Sequence, residues 1–218
     1  MPKTKKRQQL IYIILNNIIK EGFASLTMED FVKMLPASRA TVYRYFSSRD
    51  NIISAVVKEY LKYIDSFELP SIVSKDEEWV HSVEKQLEEA LILNSHLSAI
   101  FWNDLKSEFP DEFSRLQAKI NDYHLQLLKF YQAGQKAGIF NLSQPELWIL
   151  QDHLMIPQII KPDYLVKHDL TIREAINSYV LMKSQQIIRP AYLANFDSSF
   201  VETIIEKMNQ EINLSGDD

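Results

Sequence analysis

The stretch from Ala37 to Phe46, ASRATVYRYF, gathers side chains suited to holding a polyanion. Arg39 and Arg44 carry planar guanidinium forks that match paired acceptors, such as the O6/N7 edge of guanine or two phosphate oxygens. Thr41 offers a methyl for the methyl of thymine, and Ser38 and Thr41 add hydroxyls. The hydroxyls of Tyr43 and Tyr45 can donate to phosphate, or they can be the wet tips of core aromatics. Val42 and Phe46 lie four residues apart, so a helix would turn both inward, toward Leu26 and Phe31. That leaves Ser38, Arg39, Thr41 and Arg44 at the N-terminal end or on the open face.

Short helices must position such a surface. Leu10, Ile13, Ile14 and Ile18 follow helical spacing, and Gly22 is a natural stop beyond them. Thr27 through Asp30 reads as a capping box, opening a short helix that ends near Leu35-Pro36. Ser38 can cap the next helix, and Ser47 or Ser48 the one that runs through Ile52, Val56 and Tyr60 toward Ser66. Three short helices, the last two joined by a tight turn, describe a helix-turn-helix with 37–45 as its recognition helix. Charge agrees: residues 1–66 hold eleven Lys/Arg against six Asp/Glu, whereas the remainder is strongly acidic and the chain carries a net −5. The basic residues Lys3, Lys5, Lys6 and Arg7 read either as an arm to a groove or backbone or as a solubilising tail.

The run Gly22-Phe23, Thr27 to Val32 and Ser38 to Ile52, with no gap, resembles the TetR (tetracycline-repressor-like) family of bacterial transcription regulators. Gly134 to Phe140 resembles that family's frequent ending of a middle helix. The sequence departs from the family pattern at Leu35-Pro36, where Gly is usual, and at Arg49, where Lys is common. Proline fixes φ near −65° and has no N–H, so this turn must use another geometry. The resemblance implies an all-α fold, with a three-helix DNA-binding domain over 1–66 and a larger helical effector-binding and dimerisation domain over 67–218. It implies a DNA-facing set of Thr27, Ser38, Arg39, Thr41, Tyr43, Arg44, Tyr45 and Arg49. In that set Arg39 and Arg44 meet bases, and Thr27, Tyr43, Tyr45 and Arg49 meet phosphate.

The rest of the chain is patterned as helices, nine or ten in all, with no convincing strand. Capping boxes are expected at Ser74–Glu77, Ser143–Glu146 and Thr171–Glu174, and Pro190 should kink or end the helix begun at Thr171. Family resemblance implies that the last two helices form a homodimer seam. Ile172, Ile176, Tyr179, Val180, Phe200, Ile204, Ile205 and Met208 would supply it, or else pack within the subunit. An effector pocket would draw on Asn94, Trp102, Asn103, Tyr123, His124, Tyr131, Trp148 and Asp152, although each taken alone is more often an ordinary core or interface residue.

Other classes find little support. With no cysteine there is no disulfide, thiolate metal site or cysteine nucleophile, and four glycines argue against a phosphate loop. The five histidines are scattered, and Asp152-His153 are adjacent and do not share a helix face. The expectation is a cytoplasmic regulator, not an enzyme, without cofactor, metal or membrane partner. It would be a repressor that binds palindromic operator DNA as a homodimer and is released by a small molecule. The alternatives are control by a protein partner, or an activating role.

Overall fold

The computed structural model describes residues 3–68, 70, 73, 75–96 and 98–209. Eleven α-helices and one 3-10 helix account for most of them. The helices are α1 (Lys3–Glu21), α2 (Met28–Met34), α3 (Arg39–Tyr45), α4 (Arg49–Asp65), α5 (Asp76–His96) and α6 (Ala99–Glu108). They continue with α7 (Pro110–Lys136), α8 (Pro145–Ile159), α9 (Pro162–Lys167), α10 (Ile172–Ile187) and α11 (Phe200–Asn209), with the 3-10 helix at Pro190–Asn195. The fold is all-α; extended backbone pairs only at an isolated antiparallel bridge between Phe140 and Ile188, among the described residues. The helix count exceeds the expected nine or ten partly because α9 has six residues, too few to show an apolar stripe.

Local sequence signals set the boundaries. The capping boxes at Thr27/Asp30 and Thr171/Glu174 both form, and Ser38, Ser48 and Ser98 each accept a first-turn N–H. The box expected at Ser143 does not form. Gln144 is the N-cap, without a side-chain bond, and Pro145 pre-sets the first turn in its place. Ser74 lies outside the described residues. Helix α10 stops at Ile187, and Pro190 opens the 3-10 helix. Helix α1 starts at Lys3, so Lys5, Lys6 and Arg7 lie on a helix and not on an extended arm. Arg7 stacks over the Phe46 ring at 5.2 Å.

Two compact units divide the described residues. The first comprises 3–66 and 98–120, so it draws in α6 and the first part of α7 from beyond residue 66. Its core joins Ile14, Ile18, Phe31, Val42, Phe46, Ile52, Val56 and Tyr60 with Phe101, Leu105 and Leu116, all fully buried. The second comprises 67–96 and 121–209. At its centre Trp79 stacks on Phe130 at 5.3 Å, Phe140 meets both rings edge-on, and Tyr131 meets Trp148 at 5.1 Å. The two glycines that end α7 serve this cluster. A Cβ at Gly134 would stand 2.1 Å from the Phe140 ring, and Gly138 takes φ +81° to turn the chain.

Candidate nucleic-acid interface

The turn between α2 and α3 shows how Pro36 is accommodated. Leu35 caps α2 in an extended conformation (φ −96°, ψ 138°), and the Ala37 N–H donates to the Leu35 carbonyl at 2.8 Å. That bond spans two residues with Pro36 at its centre, which is an inverse γ-turn, a conformation close to the φ proline already holds. No left-handed residue is needed there. Among the described non-glycine residues only Asp169 has positive φ. Ser38 then starts α3, its Oγ accepting the Thr41 N–H at 3.3 Å and donating to Thr41 Oγ1 at 3.0 Å.

Burial sorts the recognition helix as its spacing predicts. Val42 and Phe46 are fully buried, whereas Ser38, Arg39, Tyr43 and Arg44 are exposed and Thr41 and Tyr45 half-buried. Arg44 stacks over Tyr45 at 5.2 Å and Arg39 over Tyr43 at 5.5 Å, so each arginine is braced by a neighbouring ring. A residue outside the expected set joins them. Glu29 of α2 takes both the Arg39 guanidinium (Nη2 to Oε1, 2.6 Å) and the Tyr43 hydroxyl (2.9 Å) on one carboxylate oxygen. No spacing rule could have found it, since its partners lie across the turn. Thr27 is exposed but occupied with its cap: its hydroxyl donates to Asp30 Oδ2 at 2.6 Å and accepts the Asp30 N–H. The Thr27 hydroxyl, then its backbone N–H, hold the Asp30 carboxyl below its ordinary range.

Arg49 has a different environment from an exposed phosphate ligand. Its Nε donates to the Leu26 carbonyl at 2.8 Å, Nη2 to the Phe23 carbonyl at 2.9 Å, and Nη1 pairs with Glu108 at 2.7 Å. The guanidinium also lies over the rings of Phe23 and Phe109. Every nitrogen is therefore engaged within the unit. The same loop is gripped by Asp104 of α6, whose Oδ2 accepts the N–H groups of Phe23 (2.6 Å) and Ala24 (2.9 Å). Gly22 makes that approach possible: it sits at φ +79°, and a Cβ there would lie 2.6 Å from Asp104 Oδ2.

The family model for bacterial regulatory proteins of the tetR family matches residues 15–56, the segment that carries α2, α3 and the start of α4. Over 171 residues the chain is 28% identical to an uncharacterized HTH-type transcriptional regulator, YvaF, from Bacillus subtilis (strain 168). That alignment covers 75% of this chain and 86% of the relative. These matches support a TetR-family regulator. Its fold is similar to that of a crystal structure of an HlyIIR mutant protein carrying an alanine-substituted segment, with TM-score 0.50 and 12% identity. That comparison covers 87% of this chain and 99% of the other.

In the body of the chain, the residues expected at an effector pocket are divided. Trp102 and Asn103 belong to the first unit, Trp102 meeting Phe113 edge-on at 5.5 Å. The others lie in the second unit, mostly in its core. Tyr123 is buried, donating to Gln86 at 3.0 Å and Glu89 at 2.9 Å, and Tyr131 and Trp148 pack in the aromatic cluster. Burial pushes the Glu89 carboxyl up to about 7, against the opposing bonds from Tyr123 and the Glu68 N–H. Asp152 is buried and pairs with Lys183 at 3.0 Å while accepting the Tyr179 hydroxyl at 2.5 Å; Lys183 also donates to the Trp148 carbonyl at 2.7 Å. Burial raises the Asp152 carboxyl and lowers the Lys183 ammonium, and their mutual attraction opposes both shifts. Only Asn94 and His124 of the expected set stay half-buried here. Asn94 Oδ1 lies 3.3 Å from His153 Nδ1. Burial, then the neighbouring His153, lowers the His124 imidazole to about 4.

The residues expected at the dimer seam mostly face inward. Ile176, Tyr179, Val180, Ile204 and Met208 are buried within the second unit, and Ile172, Phe200 and Ile205 are half-buried. The reason is that α11 packs on α5 as well as on α10, which places its stripe in the core. Exposed leucines lie on α8 instead: Leu147, Leu150 and Leu154 are 60%, 49% and 56% exposed, and Leu181 of α10 is 40% exposed. The sequence of α8 is apolar nearly all round, a pattern that predicts burial on several sides, and this face departs from it. No described helix is long and apolar enough to cross a membrane.

Proposed function

We propose that this TetR-family regulator is a cytoplasmic, ligand-released repressor that binds palindromic operator DNA as a homodimer. The observation that carries the reading is the recognition helix: capped, anchored by Val42 and Phe46, and exposing Ser38, Arg39, Tyr43 and Arg44 with Thr41 and Tyr45 beside them. Arg39 and Arg44 would meet base edges, and Tyr43 and Tyr45 would brace on phosphate. Thr27 would lie beside the backbone while capping α2. Arg49 we assign to holding the 23–26 loop, since its nitrogens are already engaged.

One seven-residue recognition helix reads few bases, so useful affinity calls for two copies on half-sites about one helical turn apart. We assign the dimer seam to α8, where Leu147, Leu150 and Leu154 recur at helical spacing, flanked by Leu181 of α10. A two-fold axis through such a stripe makes it self-complementary. For the effector we favour the half-buried side chains of Asn94 and His124, with His153, whose polar groups are not sunk in the second unit's core. A small molecule there would release DNA by favouring the non-binding arrangement, by no more than its differential affinity for the two states.

The test is selection of bound fragments from the organism's own DNA, followed by titration against a scrambled duplex at several salt concentrations. The expected result is a palindrome bound with a steep salt dependence, and Arg44→Ala should relax preference at one base pair, costing about 1–3 kcal/mol. A wild-type protein that prefers no duplex defeats the reading.

A further inference from the structure

We propose that Glu29 is a specificity-determining residue. It tethers Arg39 beside Tyr43, reserving that arginine for a base edge and withholding it from the phosphate backbone of unrelated DNA. The inference rests on the DNA-binding reading above and concerns a residue that reading does not use.

Three mutual contacts define the arrangement. Glu29 Oε1 takes Arg39 Nη2 at 2.6 Å and the Tyr43 hydroxyl at 2.9 Å, and the Arg39 guanidinium lies over the Tyr43 ring at 5.5 Å. Glu29 is the second residue of α2, and Arg39 opens α3, so the contact crosses the proline-centred turn. The side chains remain substantially open, 43% for Glu29 and 68% for Arg39, which leaves both within reach of a partner. Asp30 and Arg44, charged residues adjoining the pair on α2 and α3, have partners of their own. Asp30 is engaged by Thr27 and Lys33, and the Arg44 ring partner is Tyr45.

A free arginine at this position would follow phosphates wherever the backbone runs, which strengthens binding to any sequence. Pairing with a carboxylate cancels that attraction and fixes the side chain's direction. Guanidinium has five N–H donors, and the tether takes one N–H of Nη2, leaving the second Nη2 N–H and that of the nitrogen beside it to present a fork to a fixed acceptor pair. A base edge in register can meet that fork. A phosphate off register cannot do so without breaking the tether. The cost of a negative charge on a DNA-facing surface therefore falls more heavily on non-specific binding than on specific binding.

The experiment compares wild type, Glu29→Gln, Arg39→Gln and the double variant. Each is titrated with the selected genomic duplex and with a scrambled duplex of equal length, across a salt series. The proposal expects Glu29→Gln to bind the scrambled duplex about three- to tenfold more tightly at low salt, with the log–log salt slope steeper by about 0.9, one added phosphate. The ratio of specific to non-specific affinity should fall, and the Glu29→Gln effect should vanish when Arg39 is already Gln. Unchanged binding to the scrambled duplex overturns the proposal. So does an equal gain in the Arg39→Gln background, because that would be simple loss of a negative charge. A wild type without duplex preference defeats the DNA-binding reading itself, whereas a discriminating wild type with an unresponsive Glu29→Gln variant defeats this proposal alone.

Discussion

Substituting Arg49 separates holding the loop from touching DNA. Arg49 makes two bonds to backbone carbonyls at 2.8 and 2.9 Å and pairs with Glu108, with its side chain 22% exposed. Bonds from a charged donor contribute about 1.5–3 kcal/mol each when well buried, and about half that is reasonable here because the freed Phe23 and Leu26 carbonyls regain water. The Glu108 pair adds only about 0.5 kcal/mol, since both groups are partly wet, and stacking over Phe23 and Phe109 adds a similar amount. Arg49→Ala should therefore cost about 2.5–4 kcal/mol of stability. Arg49→Lys should recover less than half, because an ammonium keeps the charge but cannot span two carbonyls and lie flat between rings. Urea denaturation measures the loss, and a salt series on DNA measures the rest. A loop-holding Arg49 leaves the salt slope unchanged while the unfolding midpoint drops. An Arg49→Ala protein with its midpoint intact and its salt slope reduced by about 0.9 would refute the reasoning.

Removing Lys183 as Lys183→Met should cost about 3–5 kcal/mol in urea denaturation by stranding Asp152, and adding Asp152→Leu should restore most of it. Leu150→Glu places a charge in the middle of the exposed α8 stripe and should shift the protein from dimer to monomer in sedimentation; Ile205→Glu should not do so by the same route. Glu89 is raised from 4.5 to about 7, so the native state holds more protons between those values. Its contribution to stability is full below about 4.5 and is lost as pH rises through about 7. His124 is lowered from 6.5 to about 4 and works the other way: its contribution is present above about 6.5 and is lost as pH falls through about 4. Glu89→Gln should thus remove a fall in thermal stability toward neutral pH, and His124→Gln a fall toward acid.

The helix-turn-helix end was legible because its logic is local. A helix three turns long or less is governed by its caps and by which residues lie three or four apart, and both can be counted along the chain. Thr27, Ser38, Val42 and Phe46 behave as those rules require. The body was less legible because burial there depends on which helix comes to lie beside which. An amphipathic stripe shows that a helix buries one side, not against what. The stripe of α11 satisfies itself on α5 and α10, while the leucines of α8, masked by the apolar residues around them in sequence, are left open.

The sequence alone therefore determined the helical class, the caps at Thr27, Ser38 and Thr171, the short helix that follows Pro36 and the charge difference between head and body. It also determined that Pro36 would rule out a glycine-type turn, though not that an inverse γ-turn would take its place. Tertiary structure decided the roles of charged side chains whose partners are far away in sequence. Arg49 turned inward because Glu108 and the 23–26 carbonyls surround it, and Arg39 was tethered because folding across Pro36 brings Glu29 beside it. A formal charge is a property of a residue, but what that charge does depends on the distance to its nearest opposite, and only the folded chain sets that distance.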